Sequence, residues 1–208
     1  MDKKFISIAI IAIAVVVGAT IRLVRFNSEG ASRANPKPFE LLGASAATAV
    51  VKLLKENGSV VVVLETMEGI KNSNNEAQVK GFKAGLAKSK GVTIREVKEL
   101  QRDMSGDPRF WPEGQARQIA SLGDGVGAIV LFFNIPQDLS PNDIAALKES
   151  KAKILIVGGV QSPLVNTLVT SAVIQVAIVA RTPPPPVPSD TETMEQSFAR
   201  VYTELNAP

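Results

Sequence analysis

The sequence predicts an α/β protein with a single, mostly parallel sheet of five strands and a transmembrane helix at the N-terminus. Three observations predict the sheet. Residues 60–64 are four valines and a leucine, a run typical of a strand covered on both faces. A helical segment and a second strand follow before Val97, and this order is the βαβ unit of a parallel sheet. Residues 126–133 are again apolar, which predicts a central strand.

The remaining elements follow from periodicity and from capping signals. The clearest helix start is Ser140, an N-cap followed by Pro141 and by a carboxylate at Asp143. Residues 92–97 alternate between apolar and polar, which predicts a strand at the edge of the sheet. The predicted helices span residues 39–57, 75–89, 113–122, 140–150, 161–170 and 190–206, and the predicted strands span 60–65, 92–97, 126–133, 152–157 and 171–180.

Composition excludes several classes of function. The chain has 208 residues, 45% of them hydrophobic, which is enough for one sizeable core and therefore for one domain with appendages. Its net charge of +3 is scattered and no nucleic-acid motif is visible, so we expect no nucleic-acid partner. The absence of Cys and His excludes disulfides, zinc-finger spacing and a Ser-His-Asp triad. We therefore expect no enzyme activity, no cofactor and no metal site. The disfavoured alternative is an enzyme that uses carboxylates or lysines alone.

The N-terminus predicts a membrane anchor. Residues 5–21 contain no charged side chain, and these 17 residues are at the lower limit of a spanning helix, roughly 17–25 residues. The run is longer than a usual signal-peptide core, which favours a retained anchor over a cleaved signal, although small residues at 17–19 would suit cleavage. A buried helix is the third alternative. A short basic tail normally stays inside, so we expect the C-terminal part to be extracytoplasmic, in the periplasm.

Linkers divide the rest of the chain. Residues 26–38 are polar and contain two prolines, and residues 183–186 are four consecutive prolines, which form a stiff, extended connection. The expected organisation is an anchor or signal segment at 1–25, a linker at 26–38, an α/β domain at 39–181, a Pro-rich linker at 182–189 and a C-terminal helix at 190–208.

The α/β domain resembles a known family across roughly residues 40–181. It is similar to the C-terminal lobe of type I periplasmic sugar-binding proteins, the ribose- and xylose-binding kind, whose fold is shared with LacI-type regulators. The resemblance implies a doubly wound parallel sheet with a small-solute site at the strand ends. It also implies that the N-terminal lobe is missing, with a membrane segment in its place. The segments that carry it are residues 58–64, 79–87, 125–130, 145–149 and 154–159.

The resemblance also implies positions for the ligand site. In the family an Arg three residues before the Gly-Phe pair contacts the sugar, and here that position is Gln78. An Asn or Asp follows the third strand, and Asn134 matches it. An Asp follows the fourth strand, where this chain has Val160, and a polar residue follows the fifth strand, where it has Arg181.

Glu65 and Thr66 end the first strand and are further candidates for contact with a ligand. Glu65 with Glu68 could form an acid/base pair or bind a cation. The alternative is that both are solvated loop carboxylates.

Trp111 lies in a long loop with Asp103 and Asp107. Together they could form a lip over a ligand, because sugars stack on aromatic rings in the family. The alternative is that Trp111 anchors the loop against its own domain.

Two functions agree with these features. The first is a membrane-anchored extracytoplasmic module that binds a small polar solute, such as a sugar, for transport or sensing, with subunits of an ABC transporter as partners. The second is a degenerate single lobe that acts as a structural or protein-interaction module, including as a homo-oligomer. Val160 and the missing second lobe favour the second function.

Overall fold

The computed structural model describes residues 35–66, 72–101, 107, 109–183, 185–186 and 192–208. The chain divides into two units after Asn35, and all of the described helices and strands belong to the second unit. The predicted anchor at 1–25 lies outside the described residues, as does most of the predicted linker at 26–38. None of the described helices has the length and apolar character needed to cross a membrane.

The described residues form one sheet with helices on both faces. The strand order is β2-β1-β3-β4-β5-β6, with β1 to β5 parallel and β6 antiparallel to β5. The helices are α1 (Lys37–Leu53), α2 (Ser73–Leu86), α3 (Gln115–Ser121), α4 (Pro141–Lys148), α5 (Pro163–Thr170) and α6 (Met194–Val201), and the strands are β1 (Gly58–Thr66), β2 (Val92–Gln101), β3 (Ala128–Phe132), β4 (Lys153–Val160), β5 (Val176–Ala180) and β6 (Tyr202–Asn206).

The mostly parallel, doubly wound sheet predicted from the sequence is confirmed. The edge position of β2 and the central position of β3 are also confirmed. The predicted number of five strands is wrong, because a sixth strand lies beside β5. The predicted strand at 171–180 is shorter, because only Val176–Ala180 pairs with neighbouring strands.

The predicted helix at 190–206 is wrong in its second half. A capping box between Thr193 and Gln196 starts α6, but the helix ends at Val201 and β6 follows at once. Without β6, the outer side of β5 would be an open edge with unpaired backbone groups. Antiparallel pairing with β6 satisfies these groups and puts Tyr202 and Leu205 on opposite faces of the sheet. This long-range pairing overrides the helical spacing of the apolar residues.

Two apolar layers cover the sheet. On one face, side chains of α1 and α2 pack on β1, β3, β4 and β5, with Phe82 and Val50 fully buried. On the other face, side chains of α3, α4 and α5 pack on the same strands, with Ile119 and Leu168 at its centre. Because β1, β3 and β4 are buried on both faces, their sequences are apolar at consecutive positions rather than at alternate ones.

Backbone contact between α1 and α2 fixes the position of α2 on the sheet. A Cβ at Gly43 would overlap the carbonyl oxygen of Gln78, and a Cβ at Gly81 would overlap the carbonyl oxygen of Glu40. The two helices therefore approach more closely than any side chain at these positions would permit. An ion pair between Lys80 Nζ and Glu40 Oε1, at 2.7 Å, lies at the exposed margin of the same contact.

Gly81→Ala should lower the free energy of unfolding by about 2 kcal/mol or more, because the new methyl group forces the helices apart. The loss is expected although Ala favours helices over Gly by about 1 kcal/mol. Chemical denaturation of the full-length chain measures it. Lys83→Ala, on the exposed side of α2, is the control and should stay within about 0.5 kcal/mol of the wild type. Equal stability of both variants would contradict the backbone contact.

Candidate functional site

The strand order creates a crevice at the carboxyl ends of β1 and β3. The helix after β1 covers one face of the sheet and the helix after β3 covers the other face, so the connections diverge between these two strands. Open parallel sheets bind ligands at such switch points. Thr66 ends β1, Asn134 follows β3, and Gly158 and Gly159 lie near the end of β4.

Two buried amide side chains lie in the first two turns of α2, at this end of the sheet. The side chain of Asn72 caps the helix by accepting a hydrogen bond from the backbone of Asn74. Asn75 and Gln78 then lie one turn apart and are only 8% and 6% exposed. Asn75 Nδ2 donates to the carbonyl oxygen of Glu65 at 2.9 Å, which ties the start of α2 to the end of β1.

Gln78 differs from Asn75 in its hydrogen bonding. Its Oε1 is buried and has no hydrogen-bond partner among the described residues. Leaving a buried acceptor unpaired costs about 1–3 kcal/mol of stability. A site that carries this cost is a candidate for contact with a ligand hydroxyl or N–H group.

Two glycines of β4 bring the candidate residues together. Gly158 has a φ of +92°, and a Cβ there would lie 3.5 Å from Gln78 Nε2 and 3.4 Å from Leu42 Cδ2. A Cβ at Gly159 would lie 2.8 Å from Asn134 Oδ1. Gln78 and Asn134 therefore approach the same short stretch of backbone from two different elements.

Other predicted site residues lie at the ends of β1 and β5. Glu65 and Thr66 are half-buried at the end of β1, and Arg181 is exposed after β5, where its backbone N–H donates to the carbonyl oxygen of Val201. Val160 is 58% exposed at the end of β4.

Trp111 is not part of the group around Gln78. It is 9% exposed and meets the ring of Phe133 edge-on, with 6.5 Å between ring centroids, in the layer of α3, α4 and α5. This position is the one expected if Trp111 anchors the loop against its own domain. Asp107, in the same loop, binds Arg109 with two carboxylate oxygens, and these hydrogen bonds lower the pKa of Asp107 to about 2. Glu68 and Asp103 lie outside the described residues.

Sequence reasoning missed Asn75, Gly158 and Gly159 as parts of the site. The two glycines carried a usable signal, because adjacent glycines at the end of a buried strand permit a close approach of another group. Asn75 carried none, since its burial and its hydrogen bond to the carbonyl oxygen of Glu65 arise only in the folded chain.

The polar side chains that approach Gly158 and Gly159 are the neutral amides of Gln78 and Asn134. Asn and Gln side chains each offer two N–H donors and one carbonyl acceptor, which matches hydroxyl and amide groups of a small solute. Across the described residues, no group of three acidic side chains is arranged to hold a metal ion. Amide side chains such as these are chemically suited to hydrogen bonding with a polar group.

No protein-family model matches the sequence, and no curated protein sequence matches it.

Solved structures of sugar-binding proteins are similar in fold. The arabinose-binding protein AraP from Geobacillus stearothermophilus is 21% identical, with a TM-score of 0.48, over 68% of this chain and 45% of its own. The glucose-galactose binding protein GanP from the same organism is 16% identical, with a TM-score of 0.46, over 68% of this chain and 47% of its own. An ABC transporter solute-binding protein from Burkholderia graminis, in complex with D-arabinose, is 17% identical, with a TM-score of 0.49, over 67% and 46%.

These solved structures are sugar-binding proteins, as are members of the family that the sequence resembles. The chain spans about half the length of the solved proteins that it matches.

Gln78→Met should raise the free energy of unfolding by about 1 kcal/mol in the absence of any ligand. The variant removes the unpaired acceptor and nearly keeps the side-chain volume. Urea denaturation of the full-length chain measures the change. Asn75→Leu is the matched control, because it removes a paired amide and should lower stability by about 1 kcal/mol. A Gln78→Met variant that loses as much stability as Asn75→Leu would show that Gln78 Oε1 is satisfied in the folded protein.

Proposed function

We propose that this chain is a membrane-anchored extracytoplasmic module that binds a small polar solute of the sugar class and serves transport or sensing. The observation that carries the proposal is the buried Gln78 carbonyl without a partner among the described residues, at the carboxyl end of a parallel sheet. A solute hydroxyl would satisfy this acceptor. The proposed role is non-catalytic, because the groups at the centre are neutral amides rather than acids or bases.

The geometry around β4 supports the proposal, because both amides lie close to the same two residues of backbone. A Cβ would lie 3.5 Å from Gln78 Nε2 at Gly158 and 2.8 Å from Asn134 Oδ1 at Gly159. Asn134 is exposed at the end of β3 and can therefore meet a solute from the crevice. A ligand held here would donate a hydrogen bond to the buried Gln78 Oε1 and form a second hydrogen bond with the exposed amide of Asn134.

The membrane part of the proposal rests on the uncharged residues 5–21 and on the basic residues that flank them. An anchor of this kind would keep the binding module at the membrane, where transporter subunits or a sensor are its natural partners. D-Arabinose, which the Burkholderia graminis protein holds, and other sugars are the first solutes to test.

A second candidate function is a protein-interaction module. Val160 favours it, because this apolar side chain is 58% exposed at the strand ends, beside the candidate site. An exposed apolar residue there suits contact with a protein better than contact with a sugar hydroxyl. The two functions predict different results: a small solute stabilises a binding module against unfolding, whereas no small solute stabilises an interaction module.

Thermal unfolding of the full-length chain in detergent, against pentoses, hexoses, amino acids and nucleosides, tests the proposal. A solute present at 100 times its dissociation constant should stabilise the protein by about 2.7 kcal/mol. Asn134→Ala should weaken binding of that solute by about tenfold, since a hydrogen bond to the ligand is lost. Asn57→Ala, in the loop between α1 and β1 at the opposite end of the strands, is the control and should bind normally.

Two results would count against the proposal. Stabilisation by no solute class would favour the interaction module. Unchanged affinity in Asn134→Ala would show that the solute binds elsewhere on the domain.

A further inference from the structure

Within the part of the chain that the structure describes, the edge of the sheet formed by β2 is long and open. There β2 has ten residues and pairs with β1 on one side only, whereas the opposite edge strand, β6, has five residues. An edge strand presents a row of unpaired N–H and C=O groups to a possible partner strand. Natural proteins usually keep such edges short, so a ten-residue edge needs an explanation.

The side chains in the middle of β2 have a self-complementary pattern. Residues 95–99 read Arg, Glu, Val, Lys, Glu, so the sign of the charge inverts about Val97. Val97 is 37% exposed, one of three large apolar side chains exposed in the described part of the chain. Charges normally protect an edge because like charges on two approaching strands repel. In this strand the order of the charges attracts a second copy.

We propose that two copies of this chain associate edge to edge through antiparallel β2 strands, with a two-fold axis at Val97. In this register Glu96 lies opposite Lys98 of the partner subunit, and the symmetry repeats the pair. Val97 meets Val97 of the partner subunit. Opposite-charge and apolar cross-strand pairs both stabilise an antiparallel sheet.

The charges select this register over its neighbours. A two-fold axis at Glu96, Lys98 or Glu99 would put two like charges directly opposite each other, which destabilises pairing. Only the axis at Val97 puts a neutral residue at the centre of the charged segment and opposite charges beside it. The side chains therefore specify one pairing of the two strands.

A bulge limits the length of this interface. Ile94 pairs with Val60 and Glu96 pairs with Val61, so Arg95 is an extra residue in β2. Arg95 Nη1 donates to the carbonyl oxygen of Asp124 at 2.9 Å, which holds the side chain to its own subunit. The regular pairing thus centres on residues 96–98, and the bulge twists the strand away beyond them. A short interface of this kind forms a reversible dimer.

The proposal can be tested by disulfide trapping, because the chain contains no Cys. In Val97→Cys the two thiols of a dimer face each other across the axis. Cβ atoms of directly opposed residues are about 4.5–5.5 Å apart, and a disulfide needs about 3.5–4.5 Å, so the two ranges meet at about 4.5 Å. The full-length variant is oxidised mildly in its own membranes and separated by non-reducing electrophoresis. Val160→Cys is the matched control, since Val160 is more exposed but lies at the end of β4.

We expect a crosslinked dimer from Val97→Cys and at least about fivefold less from Val160→Cys. Charge reversal then tests the register in the Val97→Cys background. Lys98→Glu or Glu96→Lys alone should lower crosslinking by about fivefold, because each creates two like-charge pairs. The double variant Glu96→Lys with Lys98→Glu restores both opposite-charge pairs and should restore crosslinking. A merely structural role of these residues would not give this rescue.

Three outcomes would overturn the proposal. Absence of crosslinking in Val97→Cys, with native protease resistance retained, would show that the edge is unpaired. Stronger crosslinking of Val160→Cys would place the contact at the strand ends, and equal crosslinking of both would indicate random collision. A double variant that crosslinks no better than the single variants would rule out charge pairing as the basis of the contact.

Discussion

The rest of the structure depends on burial of both faces of the central strands. β1, β3 and β4 are apolar at consecutive positions, so each face needs its own layer of helices. Because α2 and α4 then leave the sheet on opposite faces, a crevice opens between β1 and β3. The candidate site is therefore a consequence of how the core is covered. The same requirement leaves β2 at one edge, where no further strand is needed to bury the core.

The close contact between α1 and α2 links this core to the site. Gly43 and Gly81 let the two helix backbones touch, and this contact holds the first turns of α2 against the ends of β1 and β4. Asn75 there satisfies a backbone carbonyl, while Gln78 retains a buried acceptor without a partner among the described residues. One helix thus carries both a structural amide and a candidate ligand-binding amide, one turn apart. The difference between them is visible only in their hydrogen bonding.

The candidate solute site and the β2 edge are different parts of the domain. The site is at the carboxyl ends of the strands, around Gln78 and Asn134, whereas the proposed dimer contact centres on Val97 along the side of the sheet. A dimer formed through β2 would leave the crevice open in both copies. Exposed Val160 remains at the rim of the crevice, where it would affect access of a solute or of a protein partner.

The sequence by itself determined the alternation of β1 to β5 with their helices and the edge and central positions of β2 and β3, whereas Gln78 and Asn134 were identified by its resemblance to a known family. The alternation and the strand positions depend on local apolar periodicity and on capping, which neighbouring residues encode. Only the tertiary structure decided that residues 202–206 form β6, because this strand is stabilised by its hydrogen bonds to the edge of β5. It also decided that Trp111 is buried and that Gly158 and Gly159 meet the two amides. Such contacts join residues far apart in the chain, and no local pattern specifies them.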